Sequence, residues 1–149
     1  MSKEYGISNA KPYDVEEWMR FVVSVSDDFP GFDEKEYEVS LTECISRETA
    51  ICAKDKGRIV GTLLYSLAKS TIDFLAVSPE CRGNGIASSI IEAMVMKFPP
   101  NQDIWVTTYR EGDIKGEAAR RLYRRMGFIE DELVEEFGYP CQKLVYRTS

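Results

Sequence analysis

FLAVSPECRGNGIASSIIEAM, residues 74–94, joins an apolar strand-like run to an apolar pattern of helical spacing. Between the two lie a short polar link and the loop Arg82-Gly83-Asn84-Gly85. Apolar residues recur every three or four positions after this loop, which predicts a helix with one buried face. The next apolar segment, DIWVTTY at 103–109, is typical of a strand. A strand, a helix and a strand in this order predict two parallel strands joined by a crossover.

The segments before and after this unit predict antiparallel strands. TAICAK and RIVGTLLYS flank the turn Asp55-Lys56-Gly57, which is typical of a hairpin. The C-terminal segments FIEDELVEEF and CQKLVYR flank GYP and predict a second hairpin. Helices are predicted over 12–29, over 33–47 and over 117–126. This order of elements predicts an α+β fold with a mixed sheet.

Two helix starts have local signals. Asp14 with Glu17 three residues later predicts a capping box at the first helix. Asp113 precedes the last helix and is the predicted N-cap residue there.

The length and composition predict a single domain, residues 1–149, and the histidine count limits the chemistry that it can perform. The 149 residues are 44% hydrophobic and 30% charged, as in a single globular domain. The absence of histidine excludes Ser-His-Asp hydrolysis and His-ligated zinc. The four cysteines are widely spaced, so no metal site is expected. A net charge of −6 argues against a nucleic-acid partner, which requires a basic surface.

The sequence contains no targeting or membrane signal that we identify. No apolar run reaches the roughly 18 residues of a transmembrane helix. The N-terminal residues carry early charges and no apolar core of signal-peptide length. We therefore expect no membrane partner and a cytoplasmic location.

The glycine loop has three interpretations on its residues alone. A nucleotide-binding P-loop requires GxxxxGK followed by Ser or Thr, which is absent. A Rossmann loop follows its strand at once and ends in a third glycine, whereas Ser78-Pro79-Glu80-Cys81-Arg82 intervene here and the third position is Ser88. The loop is then a surface turn or an anion site, because unpaired N–H groups and the helix dipole at a helix start attract negative charge.

Two motifs resemble those of the GCN5-related N-acetyltransferase (GNAT) family. Arg82 to Ala87 resembles its pyrophosphate-binding motif, and AARRLYRRMGF at 118–128 resembles its second signature, a helix with a tyrosine that ends in Gly-Phe. The resemblance implies a GNAT-like sheet of about seven mostly antiparallel strands flanked by about four helices. It also implies an acyltransferase that moves acetyl from acetyl-CoA to a primary amine by direct attack on the thioester.

The resemblance assigns roles to particular residues. The strand before the loop is expected to bulge and to diverge from its parallel neighbour. Main-chain groups of Leu75, Ala76 and Val77 would then contact the pantetheine arm of acetyl-CoA. Tyr123 takes the position of the general acid, since a phenol stays protonated at neutral pH, although its spacing alone is typical of a core tyrosine. The pyrophosphate would be held by Arg82, Gly83, Asn84, Gly85, Ile86, Ala87 and Ser88.

Departures from the family pattern leave the general base open. Thr71 and Thr107 occupy the positions where some members carry a base glutamate, and neither can act as a base near pH 7. The candidates are Asp73, Glu111, Asp113 or a chain of water molecules. The missing base motivates one alternative to an N-acetyltransferase, a catalytically weak CoA-binding regulatory module. A second alternative is a transferase that uses another acyl-CoA, because main-chain contacts do not identify the acyl group.

The remaining charged segments have two interpretations each. The arginines at 120, 121, 124 and 125 form a solvated helix face, or one or two of them contact a cofactor phosphate. The acidic stretch at 23–40 is a solvated surface, or it attracts a polyamine, an aminoglycoside or a basic peptide end. The expected partner is thus a small-molecule or peptide amine, and the terminal hairpin offers an edge for a homodimer.

Overall fold

One seven-stranded sheet organises the computed structural model, which describes residues 5–29, 31–136 and 138–149. The strands are β1 (Gly6–Asn9), β2 (Ala50–Asp55), β3 (Arg58–Ser66), β4 (Thr71–Val77), β5 (Asp103–Tyr109), β6 (Ile129–Glu136) and β7 (Tyr139–Arg147). The helices are α1 (Val15–Ser24), α2 (Glu34–Ser46), α3 (Ile86–Val95) and α4 (Glu117–Arg125).

The strand order confirms the predicted α+β topology. The order across the sheet is β1-β2-β3-β4-β5-β7-β6. Every neighbouring pair is antiparallel except β4 and β5, which are the two strands joined through α3. The predicted hairpin between β2 and β3 is present, and Lys56 and Gly57 both have positive φ angles, 52° and 82°. Two positive φ angles in a two-residue turn match the right-handed twist of the flanking strands.

The helices cover the two faces of the sheet in pairs, because each carries one apolar stripe that must be buried. α1 and α2 cover one face, where Trp18, Val22 and Leu41 are fully buried. α3 and α4 cover the other face, where Ile90 and Met94 of α3 are fully buried. Of the helices described here, none is both long enough and apolar enough to cross a membrane.

The first helix is shorter than its apolar spacing predicts, and the prediction of a capping box at its start is wrong. Single 3-10 turns precede and follow α1, at Pro12–Asp14 and Ser26–Asp28. Asp14 caps no N–H of α1 with its side chain, because the buried carboxylate accepts hydrogen bonds from the Lys11 N–H and from Lys54 Nζ, both at 2.8 Å. Glu17 accepts a hydrogen bond from the Ile59 N–H at 2.7 Å, so it ties α1 to the sheet.

Two further local details depart from expectation. Asp113 is not the N-cap of α4, because a 3-10 turn at Ile114–Gly116 intervenes and Gly116 takes that position. The sequence does not predict β1, whose four residues owe their extended conformation to pairing with β2.

Candidate active site

The loop between β4 and α3 presents backbone N–H groups to open space. Gly83 and Gly85 have φ angles of 85° and 75°, a region that glycine adopts without steric cost. Gly85 is the N-cap residue of α3, whose start has no side-chain cap. The helical hydrogen bonds begin with the Ser89 N–H, which donates to the Gly85 carbonyl oxygen at 3.0 Å. The three preceding N–H groups therefore lack helical partners, and a Cβ at either glycine would meet nothing within 4 Å.

β4 and β5 diverge after one paired position. Thr71 pairs with Trp105, and the Trp105 N–H donates to the Ser70 carbonyl oxygen at 2.8 Å. The described strands pair nowhere beyond this point, so a gap opens between them toward the glycine loop. The register of β4 against β3 also shifts at Asp73, which pairs with no β3 residue. The expected bulge and divergence are both present.

The main-chain groups of Leu75 and Val77 face this gap. The Ser78 N–H donates to the Val60 carbonyl oxygen on β3 at 2.8 Å, which makes residue 78 a hydrogen-bonded position of the antiparallel ladder. Such positions alternate along a strand. The main chain of Ala76 is therefore directed to β3, and the main chains of Leu75 and Val77 are directed toward β5. One edge of the gap consequently consists of polar groups without a strand partner.

A cavity of about 790 Å³ occupies the gap and continues over the glycine loop. A cavity of this volume lies within the range of small-ligand sites. Asn84 is not among its lining residues, and its side-chain amide donates to the Cys81 carbonyl oxygen at 2.9 Å. The other residues predicted to contact acetyl-CoA or to act as the general acid all line the cavity: Leu75, Ala76, Val77, Arg82, Gly83, Gly85, Ile86, Ala87, Ser88 and Tyr123.

Tyr123 is a buried phenol on the wall of this cavity. Its residue is 4% exposed, and its ring lies 5.3 Å from the ring of Phe128. Burial raises the pKa of Tyr123. Its hydroxyl makes no hydrogen bond to any described residue. Among the described residues, Thr62 Oγ1 is the only side-chain polar atom that is both unpaired and inaccessible to solvent, so the Tyr123 hydroxyl must be accessible. The Tyr123 hydroxyl is therefore reached from the cavity.

The arginines of α4 have different environments. Arg120 is buried, and it donates to the carbonyl oxygens of Tyr109 at 2.8 Å and Asp113 at 3.1 Å, so it holds the end of β5 against α4. Arg121 and Arg124 are paired with acidic side chains. Arg125 is exposed, has no ion pair within the described residues, and lines both this cavity and a second cavity between α3 and α4.

Among the base candidates, the cavity contains Asp73 and excludes the other two. Asp73 lines it and accepts a hydrogen bond from Thr71 Oγ1 at 2.6 Å. Glu111 lies instead against Arg124 at 2.6 Å, which lowers the pKa of its carboxyl. Asp113 accepts a hydrogen bond from Tyr139 Oη at 2.6 Å.

The sequence does not single out Glu136, although it also lines the cavity. It accepts a hydrogen bond from Thr107 Oγ1 at 3.3 Å, so a carboxylate of the terminal hairpin reaches one of the two threonine positions at which some GNAT members carry a base glutamate. Tyr139 lines the cavity as well. No local pattern could reveal either residue, because a hairpin strand rich in glutamate indicates only an exposed edge.

A family model for the acetyltransferase (GNAT) domain matches residues 46–130 of the chain. This range contains the parallel strand pair, the glycine loop and α4. A sequence search of curated proteins finds no match.

Solved structures of low sequence identity share the fold along almost the whole chain. A GNAT-family acetyltransferase from Bacillus cereus is 20% identical with a TM-score of 0.77, covering 98% of this chain and 99% of its own. One from Streptococcus pneumoniae is 19% identical with a TM-score of 0.75, at 98% and 100% coverage. Ard1 from Thermoplasma volcanium is 15% identical with a TM-score of 0.79, at 97% and 98% coverage. Family motif, strand divergence and domain match agree: the chain belongs to the GNAT family of acetyltransferases.

Proposed function

We propose that the chain transfers acetyl from acetyl-CoA to a primary amine. The observation that carries the proposal is the gap between β4 and β5, whose unpaired strand edge leads directly to the uncapped start of α3. The start of α3 suits a phosphate, and the strand edge along the gap suits a chain that contains amides. Phosphate followed by an amide-containing chain is the order of groups in CoA.

The glycine loop supports the donor half of the proposal. The free N–H groups of Ile86, Ala87 and Ser88 and the dipole of α3 attract a pyrophosphate. The open space above both glycines allows the backbone to approach it. Arg82 contributes a charge-assisted contact, and Arg125, which lines the cavity without an ion pair among the described residues, is available to a further phosphate. The main-chain groups of Leu75 and Val77 would pair with the pantetheine arm as a neighbouring strand would.

The chemistry follows from the groups on the cavity wall. Acetyl-CoA supplies the acetyl group as a thioester. A main-chain N–H of Leu75 or Val77 can donate to the carbonyl oxygen, where negative charge develops during acyl transfer. Asp73 accepts the proton of the amine, directly or through water. The amine nitrogen forms the amide bond while the C–S bond breaks, and Tyr123 Oη donates a proton to the sulfur and regains one from solvent.

Thiol release from acetyl-CoA, measured against a panel of primary amines, tests the proposal. We expect turnover with at least one amine and an amide product by mass spectrometry. Arg82→Ala should weaken acetyl-CoA binding in calorimetry. The matched control is Arg121→Ala, since Arg121 is exposed, pairs with Glu117 and lies outside the cavity.

Three outcomes would contradict the proposal in different ways. Tight binding of acetyl-CoA without turnover of any amine would support a regulatory CoA-binding module instead. Faster turnover with a longer acyl-CoA would identify a different donor. Unchanged binding in the Arg82 variant would contradict the assignment of the loop.

A further inference from the structure

Two carboxylates line the cavity, and each is tied to a strand on a different side of the gap between β4 and β5. On the β4 side, Asp73 Oδ1 accepts a hydrogen bond from Thr71 Oγ1 at 2.6 Å. On the β5 side, Glu136 Oε1 accepts one from Thr107 Oγ1 at 3.3 Å. Both carboxylates line the cavity. Neither has an ion-pair partner within residues 5–29, 31–136 and 138–149, so both charges remain available to a ligand.

Three cations of the strands and loops around the cavity have other partners. Arg82 lies 3.6 Å from Asp28 and is assigned above to the donor phosphates. Arg110 donates to the carbonyl oxygens of Cys141 and Val134 at 3.2 and 3.1 Å. Lys143 lies over the ring of Trp105 at 4.2 Å and 3.6 Å from Glu132. The acceptor side of the cavity therefore carries negative charge that no described ion pair neutralises.

The wall around the carboxylates also suits an alkyl ammonium. Tyr109 and Tyr139 line the cavity, with their rings edge to face at 5.2 Å. Both hydroxyls are occupied, since Tyr109 Oη donates to the Asp28 carbonyl oxygen at 2.9 Å and Tyr139 Oη donates to Asp113. The Tyr109 ring therefore offers apolar and cation–π contact, and the Tyr139 ring adds apolar surface. Tyr123, a residue only 4% exposed whose hydroxyl has no hydrogen-bond partner among the described residues, lines the same cavity and marks it as a site built for a ligand.

We infer that the acceptor is a small aliphatic diamine or polyamine, with one amine reacting beside Asp73 and a second ammonium held by Glu136. The inference rests on the proposed acetyl transfer. Asp73 takes the reacting amine because it precedes Leu75, whose main chain faces the gap, by two residues of the same strand. Glu136 projects from the terminal hairpin and takes the distal charge. Glu136 is thus a specificity-determining residue rather than a second base.

Matched amines test the inference. Butylamine and putrescine have the same chain length, and putrescine adds the second ammonium. We expect kcat/KM for putrescine to exceed that for butylamine by about tenfold, as for one charge-assisted contact. We also expect γ-aminobutyrate, with a carboxylate in place of the second amine, to be a poorer acceptor than butylamine.

Variants assign the preference to one residue. Glu136→Gln should reduce the putrescine-to-butylamine ratio of kcat/KM to near unity and weaken putrescine binding about tenfold in calorimetry with CoA present. Glu135→Gln is the matched control, since Glu135 is exposed on the same strand and does not line the cavity. Asp73→Asn should lower kcat for both amines. Thermal unfolding of each variant verifies that it is folded.

The outcomes separate this inference from the proposed function. Equal use of butylamine and putrescine by the unmodified protein would overturn the inference and leave acetyl transfer intact. A ratio unchanged by Glu136→Gln would overturn the role of that residue. If CoA is released with none of the amines tested, the proposed function and the inference are overturned together.

Discussion

Replacing Tyr123 by phenylalanine should separate catalysis from stability. The hydroxyl has no hydrogen-bond partner among the described residues, and the ring packs against Phe128 at 5.3 Å. Removal of the oxygen leaves this packing intact and leaves no described hydrogen-bonding group unpaired. The free energy of unfolding should therefore change by less than about 1 kcal/mol. Loss of a general acid costs about 10²–10⁴ in rate, which corresponds to about 2.7–5.4 kcal/mol of transition-state stabilisation. The catalytic effect should therefore exceed the effect on stability.

The assay is thiol release at saturating acetyl-CoA and amine, together with urea unfolding of the same samples. Tyr65→Phe is the control, because Tyr65 lies in the same core at 1% exposure, outside the cavity. Its hydroxyl donates to the Glu48 carbonyl oxygen at 3.3 Å, so Tyr65→Phe should lose about 1 kcal/mol of stability and keep kcat. A Tyr123→Phe protein with unchanged kcat would refute the acid assignment. A large loss of stability would refute the idea that the hydroxyl is unpaired.

Three more outcomes are expected. Burial raises the pKa of Tyr123, so the acid stays protonated and kcat should not fall between about pH 9 and pH 11, the range over which an ordinary phenol titrates; an alkaline limb that Tyr123→Phe abolishes would argue otherwise. Gly116→Ala places a Cβ 2.6 Å from Tyr109 Cβ and should lower stability in thermal unfolding by about 1–3 kcal/mol; an unchanged midpoint would contradict this packing. Lys54→Met deprives the buried Asp14 carboxylate of its ammonium and should cost about 1–3 kcal/mol in urea unfolding, whereas exposed Lys35→Met should cost nothing measurable.

Local sequence patterns predicted most of the secondary structure and the donor half of the candidate site. The turn Asp55-Lys56-Gly57, the apolar stripe of α3 and the alternation of strands are short-range signals, because a few neighbouring residues decide backbone conformation and the buried face. The glycine loop is equally local, since a positive φ and an uncapped helix start require only residues 83–88. These signals remain correct in the tertiary structure.

Failures of the local rules occur where a distant partner competes. Asp14 fits a capping box by sequence, yet its carboxylate binds Lys54, which is 40 positions away. Arg120 belongs to an arginine run that indicates a solvated face, yet main-chain acceptors at Tyr109 and Asp113 bury it. In both cases a tertiary hydrogen bond in a low-dielectric setting outweighs the local preference.

The sequence by itself determined the order of elements, the parallel pair and the glycine loop at the start of α3, because each depends on residues adjacent along the chain. Only the tertiary structure decided how far β4 and β5 diverge and which acidic side chains line the gap. Glu136 reaches Thr107 across 29 positions, and that contact exists only because β7 places the terminal hairpin beside β5. The proposed donor site is local in the chain and the proposed acceptor site is assembled by topology, which is why the proposal for the donor starts from the sequence and the proposal for the acceptor starts from the fold.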